Sequence, residues 1–376
     1  MSRPAPAEHR PLPQVDLGRE YAAIADAARA TFSRLADAGE FVLGADLEAF
    51  EQEFAAYCGA RHCVGVASGT DALQLALEAL GARPGKEVVT VPHTFIATVE
   101  AIAATGARPV LADVDPATAV MDPTRLRGAI GSATVAVVPV HLYGRPAPMP
   151  ALREACGGLP LLEDAAQAHG AELDGVRTGA LGTAAAFSFY PTKNLGAFGD
   201  AGAVVCADDH LAATVRSLRH HGSAPGDPNR HDRRGRTARL DNLQAALLRL
   251  KLPGLDNAND ERRRAAALYR EALAGLPLEL PPADPQDGRH VYHLFVVRSP
   301  RRDELRAALQ AQGIGAGVHY PTPVHLQPAW RELGGGEGSF PGAEEWARTC
   351  LSLPLFPGIT ESEVARVATA LREALG

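Results

Sequence analysis

One lysine interrupts an otherwise apolar, glycine-rich run in this chain: Lys193, within Ala186-Phe187-Ser188-Phe189-Tyr190-Pro191-Thr192-Lys193-Asn194-Leu195-Gly196-Ala197-Phe198-Gly199-Asp200-Ala201-Gly202. Lysine is seldom buried without a reason. Desolvation lowers its pKa and makes the amine a nucleophile toward an aldehyde; a surface lysine breaking a hydrophobic loop is the plainer alternative. A second stretch, Leu161-Leu162-Glu163-Asp164-Ala165-Ala166-Gln167-Ala168-His169-Gly170, sets acidic residues at the end of an apolar strand, where ligands gather in parallel sheets. Asp164 there could be a metal ligand, a base, a partner for a cationic ring nitrogen, or a helix cap. A third, Val66-Ala67-Ser68-Gly69-Thr70-Asp71-Ala72-Leu73, ends a strand in small residues and opens a helix. Free N–H groups at such a terminus suit a phosphate, and the same residues also make an ordinary cap.

Taken together, the three stretches supply an anion cradle, a carboxylate for a pyridinium nitrogen and a lysine for a Schiff base. Pyridoxal phosphate is the cofactor that needs all of them. No second cluster of acids or histidines stands at a metal-ligand spacing, so no metal is expected.

The elements that must position these residues alternate along the chain. Val-rich strands are expected at 63–67, 87–91, 108–112, 134–140, 159–163, 184–189 and 203–207, with helices at 19–37, 46–57, 71–80, 95–104, 148–155 and 208–220. That alternation reads as βαβ units and a mostly parallel sheet. Residues 222–236 are polar and rich in Gly and Pro, and read as a loop. Helices at 239–250 and 256–274 follow, then a strand at 292–297, a helix at 303–312, a strand near 315–319 and a last helix at 361–375. The expected organisation is a flexible arm over 1–14, a large α/β domain over 15–250 and a smaller α+β domain over 251–376.

The 376 residues, 46% hydrophobic and 22% charged, are those of an ordinary globular protein. A net charge of −7 argues against nucleic-acid and anionic-membrane partners. The five cysteines form no C-x-x-C pair, so reduced thiols in a cytoplasmic compartment are expected. The N-terminus has no signal-peptide core and no apolar run is long enough to span a membrane.

Across residues 14–376 the sequence resembles the DegT/DnrJ/EryC1/StrS family of sugar aminotransferases, a fold-type I branch of pyridoxal-phosphate enzymes. The resemblance rests on SGTDALQLAL (68–77), VPHTFIATVEAI (91–102), VPVHLYGRPAPM (138–149), EDAAQAHGA (163–171), SFYPTKNLGAFGDAGAVV (188–205), RLDNLQAALLRLKL (239–252), HYPTPVHLQPAW (319–330) and LSLPLFPGIT (351–360). It implies that Lys193 carries the cofactor and shuttles the proton, that Asp164 pairs with the ring nitrogen and that Gln167 lies near the ring hydroxyl. Gly69, Thr70 and Ser188 would hold the phosphate, and Phe95 would stack on the ring. His169 would support Asp164 or the ring, and His319, Tyr320 and His325 would line a sugar site.

The family often carries Gly-x-Asn-x-Arg before the LDxxQAA helix, its Asn reaching the phosphate of the neighbouring subunit. Here Thr237 stands in that place, within Gly235-Arg236-Thr237-Ala238-Arg239. The implied function is transfer of an amino group from an amino acid, L-glutamate, to a keto nucleotide sugar, a 3-keto-6-deoxyhexose or related dTDP or UDP sugar, by a homodimer with shared sites. A sugar dehydratase of the same scaffold is weighed against it, since in those enzymes His replaces the lysine; so is a non-catalytic regulatory homologue. The arginines at 230, 233, 234, 236 and 239 could attract a diphosphate or simply face solvent.

Overall fold

The computed structural model describes residues 10–284 and 288–376. Its large sheet contains β1 (His62–Val66), β2 (Glu87–Thr90), β3 (Arg108–Leu111), β4 (Thr134–Val137), β5 (Leu162–Asp164), β6 (Ala184–Ser188) and β7 (Gly202–Cys206). β3, β2 and β4 pair in parallel. Parallel bridges Val137–Leu161 and Val140–Asp164 continue the sheet from β4 to β5, and β5 pairs in parallel with β6. β7 runs antiparallel to both β6 and β1, so the order is β3-β2-β4-β5-β6-β7-β1 and only β7 is reversed.

The sheet is buried on both faces because its strands carry small and branched residues on alternate sides. Ala184 and Ala186 of β6 pack with Val204 and Cys206 of β7 against the helix Gly69–Ala79. Ala185 and Phe187 face the other way, into a core with Phe50, Phe54, Phe189, Ala203 and Val205. A separate apolar cluster joins Leu12 to residues between 265 and 371, including Tyr269, Phe295, Leu305, Leu351 and Leu371. There β8 (Phe295–Arg298) pairs antiparallel with β9 (Cys350–Leu353), flanked by the helices Arg302–Ala311 and Glu361–Leu375.

Several expectations need correction. Residues 10–14 are docked rather than flexible: Leu12 is buried, its N–H donates to the Gly313 carbonyl at 2.9 Å, and its carbonyl accepts from Gly315 N at 2.7 Å; residues 1–9 lie outside the described residues. The helix expected over 19–37 is two, Leu17–Ala22 and Ala25–Ala38. Arg19 and Glu20 of the first are drawn to Glu363 and Lys251, whereas the second packs on Asn242–Lys251. The 222–236 loop contains a small hairpin, Ser223–Ala224 with Asp227–His231, turning at Gly226 with φ +76°. The strand near 315–319 reduces to one bridge, Gly317–Ser352.

Candidate active site

The sheet's C-terminal edge opens into a cavity of about 430 Å³ whose lining includes Gly69, Thr70, Phe95, Asp164, Gln167, Ser188, Lys193, His319 and Tyr320. Parallel strands end here and helices begin, which is where this architecture concentrates free backbone groups.

One end is a cradle. Ser68 caps the helix Gly69–Ala79, its Oγ accepting from Asp71 N at 3.1 Å. The N–H groups of Gly69 and Thr70 find no acceptor among the described residues, as expected of the first turn. A Cβ on Gly69 would sit 2.6 Å from Ser188 Cβ, and one on Gly202 would sit 2.3 Å from the Ser68 carbonyl oxygen. Glycine is required at both positions for the three segments to close around an anion. The cap and the anion cradle, alternatives in the sequence, are thus the same structure.

Asp164 and Glu163 divide by strand alternation. Glu163 turns away, fully buried, accepting from Gly179 N at 3.0 Å, Gly182 N at 2.7 Å and His141 Nε2 at 2.9 Å. It fixes the 179–182 turn. Asp164 faces the cavity; its Oδ2 accepts from Thr98 Oγ1 at 2.8 Å and its Oδ1 from Ala166 N at 3.3 Å. Burial pushes its carboxyl above the usual range, while Thr98, the Ala166 N–H and the Lys193 charge pull it back. A cation placed against this carboxylate would be held strongly.

Lys193 is set on a turn after β6, its N–H donating to the Tyr190 carbonyl at 2.8 Å. The next residue anchors the turn: Asn194 Nδ2 donates to Asn259 Oδ1 at 2.8 Å and to the Val291 carbonyl at 3.0 Å. Burial lowers the Lys193 pKa to about 8, partly offset by Asp164. A neutral, nucleophilic amine is therefore accessible near neutral pH.

The walls come from distant segments. Gln167 Nε2 donates to the Tyr320 hydroxyl at 3.2 Å, and Phe95 meets the Tyr320 ring at 5.7 Å between centroids. His319 shares the cavity, with burial lowering its pKa to about 4. Three residues singled out in the sequence stand elsewhere. His325 is buried behind the wall with its Nε2 3.1 Å from Glu344 Oε1. Thr237 is outside the cavity, its Oγ1 3.1 Å from His221 Nε2. His169 is buried between Phe187 and Phe189, with ring centroids 5.3 and 5.5 Å away. Burial lowers its pKa to about 3, and neither ring nitrogen bonds Asp164. Sequence reasoning missed Thr98, Tyr143 and His293. Thr98 occupies the second position of the helix Ala97–Ala104, inside a stretch already quoted, and a helical-wheel reading of that stretch was the available signal.

These residues fit pyridoxal phosphate: a cradle that a Cβ would fill, a buried carboxylate facing inward and a lysine of lowered pKa share one cavity. When bound, that group supplies an aldehyde carbon and a cationic ring that withdraws electrons. The chain's own part would be to hold the phosphate with Gly69, Thr70 and Ser188, to offer the Asp164 carboxylate to the ring nitrogen, and to carry a proton on Lys193 Nζ.

Comparison with known proteins agrees. Residues 23–372 match the DegT/DnrJ/EryC1/StrS aminotransferase family. The chain is 49% identical to a dTDP-3-amino-3,4,6-trideoxy-alpha-D-glucose transaminase of Streptomyces venezuelae, covering 98% of this chain and 97% of that protein. It is 43% identical to a UDP-N-acetyl-3-dehydro-alpha-D-glucosamine 3-aminotransferase of Acidithiobacillus ferrooxidans, over 97% of this chain and 98% of the other. The crystal structure of S. venezuelae DesV with a ketimine intermediate superposes with a TM-score of 0.93 at 49% identity, covering 96% of this chain and 98% of that one. The chain belongs to the DegT/DnrJ/EryC1/StrS aminotransferase family, whose members depend on pyridoxal phosphate.

Proposed function

We propose that the protein transfers the amino group of an amino acid, L-glutamate, to the C3 carbonyl of a keto sugar carried on dTDP or UDP, in amino-sugar biosynthesis. The observation that carries the reading is the convergence of Lys193 and Asp164 on one cavity with a phosphate cradle at its end. The retained lysine disfavours a dehydratase. The names of the two relatives, both 3-amino-sugar transaminases, support C3 over C4. The His319–Tyr320 side of the cavity carries a neutral imidazole and a phenol whose pKa burial pushes up, a wall suited to sugar hydroxyls.

A homodimer with shared sites belongs to the same proposal. Phe32, Phe41, Val42, Leu43 and Phe198 are exposed and would gain from being covered by a second copy, and Thr237, which does not line its own cavity, would serve a partner's. The division into 15–250 and 251–376 is supported by the apolar cluster over 265–371. No helix among the described residues is long and apolar enough to cross a membrane, and all five cysteines are free and buried, which supports a cytoplasmic setting.

The purified protein should absorb visible light, and borohydride should fix the cofactor to Lys193 in a peptide map. Glutamate should bleach that absorbance, and a panel of 3-keto and 4-keto dTDP and UDP sugars should restore it, the 3-keto sugars fastest. Bleaching by another amino acid but not by glutamate refutes glutamate as donor, and bleaching by none refutes the transaminase reading; faster recovery with 4-keto sugars refutes C3.

A further inference from the structure

Tyr143 is buried, yet its backbone sits at φ 60° and ψ 4°, in the left-handed region that residues with a Cβ avoid. Such strain persists where the surroundings over-determine it, and here they do. The Tyr143 N–H donates to Gln167 Oε1 at 2.7 Å, and its carbonyl accepts from Leu294 N at 3.4 Å. Its phenol donates to the His319 carbonyl and meets His93 Nε2 at 2.8 Å. The adjoining Gly144 carbonyl accepts from Val291 N at 3.0 Å. A Cβ on Gly144 would stand 3.0 Å from His293 N and 3.1 Å from the Gln167 carbonyl oxygen, so backbone packs directly on backbone at this point.

Proton bookkeeping fixes the direction of each bond. The phenol has one hydrogen and the His319 carbonyl can only accept, so the phenol's proton goes to His319 and His93 must donate from Nε2. Burial keeps His93 neutral, its pKa lowered to about 3, which leaves Nδ1 as a bare acceptor. With Oε1 of Gln167 held by the Tyr143 N–H, the amide nitrogen is turned toward Tyr320. Gln167, His293, His319 and Tyr320 all line the cavity: Gln167 and His319 bond Tyr143 directly, Tyr320 bonds Gln167, and the His293 backbone packs against Gly144.

We infer that Tyr143, backed by His93, is a positioning residue that locks the Gln167, His293 and His319–Tyr320 walls into one register and so sets the keto-sugar side of the site. The inference rests on the proposed function for the identity of the substrate, but the tether itself can be read without any substrate.

The test compares Tyr143→Phe, which deletes one oxygen, with wild-type holoenzyme. Hydrogen exchange over residues 317–322 should quicken in the variant while exchange in β5 and β6 does not change. The two half-reactions are then followed separately by absorbance. KM for the keto sugar should rise about tenfold, the equivalent of one hydrogen bond, with less than about a threefold loss in the glutamate half-reaction. His93→Leu should give the same split, and His93→Gln, which keeps an amide donor, should restore KM to within about threefold of wild type. Unchanged exchange at 317–322, or equal losses in both half-reactions, overturns the inference. A wild-type protein that bleaches with glutamate but turns over no keto sugar counts against the proposed function, while the exchange result still decides the tether.

Discussion

Replacing Thr98 by valine removes a hydroxyl and little else, since the two side chains are nearly the same shape. In the native protein Thr98 Oγ1 lies 2.9 Å from Thr94 Oγ1 and donates to Asp164 Oδ2 at 2.8 Å. It is the larger of the two hydrogen-bond effects that favour the charged carboxylate. A hydrogen bond to a charged group contributes about 1.5–3 kcal/mol. At about 1.36 kcal/mol per factor of ten, its loss should disfavour the carboxylate over the acid by about 10- to 150-fold. Because burial already pushes this carboxyl up, the change adds to the shift: the acid limb of the pH profile should move to higher pH. In stopped-flow absorbance the acid limb of the glutamate half-reaction should move up by about 1–2 in pH, and Thr98→Ser, which keeps the hydroxyl, should bring it most of the way back. A valine variant within twofold of wild type, with an unmoved acid limb, would show that Asp164 needs no help from the helix Ala97–Ala104.

Three further outcomes follow from the geometry. Lys193 has its pKa lowered to about 8 from 10.5; its proton is lost more readily in the folded protein, so the neutral amine grows through pH 7 to 8 and saturates above. Cofactor uptake by the apoprotein should accelerate through pH 8, where about half the amine is neutral, and level about one pH unit higher; a rate flat from pH 6 to 9 contradicts this. Gly202→Ala would put a methyl 2.3 Å from the Ser68 carbonyl oxygen and 2.8 Å from Gly69 N; overpacking of about 1–3 kcal/mol should weaken cofactor binding by about 5- to 150-fold in equilibrium dialysis, and unchanged affinity would mean the cradle is elsewhere. Glu51 binds Arg219 and accepts from Gly65 N at 2.8 Å, all three groups well buried. Glu51→Ala leaves a buried cation unpaired and should cost about 3–5 kcal/mol in urea unfolding; a loss under about 1 kcal/mol would show that water reaches Arg219.

The parts of this fold that the sequence displayed are those whose signals are local. Strand and helix alternation through Cys206 is a matter of branched runs and periodicity, and Lys193 stood out against apolar neighbours. What stayed hidden depends on partners far along the chain. The helix Pro341–Thr349 has no side-chain cap at its N-terminus; Asp113 supplies acceptors instead, taking Gly342 N at 2.9 Å and Ala343 N at 3.0 Å. Pro341 suits a first helical position, but nothing near it tells that the acceptors closing the start come from residue 113. β9 is a strand because β8 lies beside it. The same holds in the site: Thr98 matters only because the sheet brings Asp164 over it, and His325, read as a sugar ligand, is claimed by Glu344. Resemblance could supply the pattern of residues, but not which face each one presents.

Burial sets Asp164 and Lys193 the same problem with opposite signs, since an apolar surround disfavours both charges. The fold answers unevenly. Asp164 receives Thr98 and a backbone N–H, whereas Lys193 Nζ has no hydrogen-bond or ion-pair partner among the described residues within the usual distances. Donors aimed at the carboxylate keep it an acceptor for a cationic nitrogen; the bare amine is free to give up its proton. Had the two formed a close ion pair, each would have stabilised the other's charge, and the lysine would have been a poor nucleophile. The separation of their partners, more than the presence of either residue, makes the cavity suited to amine chemistry.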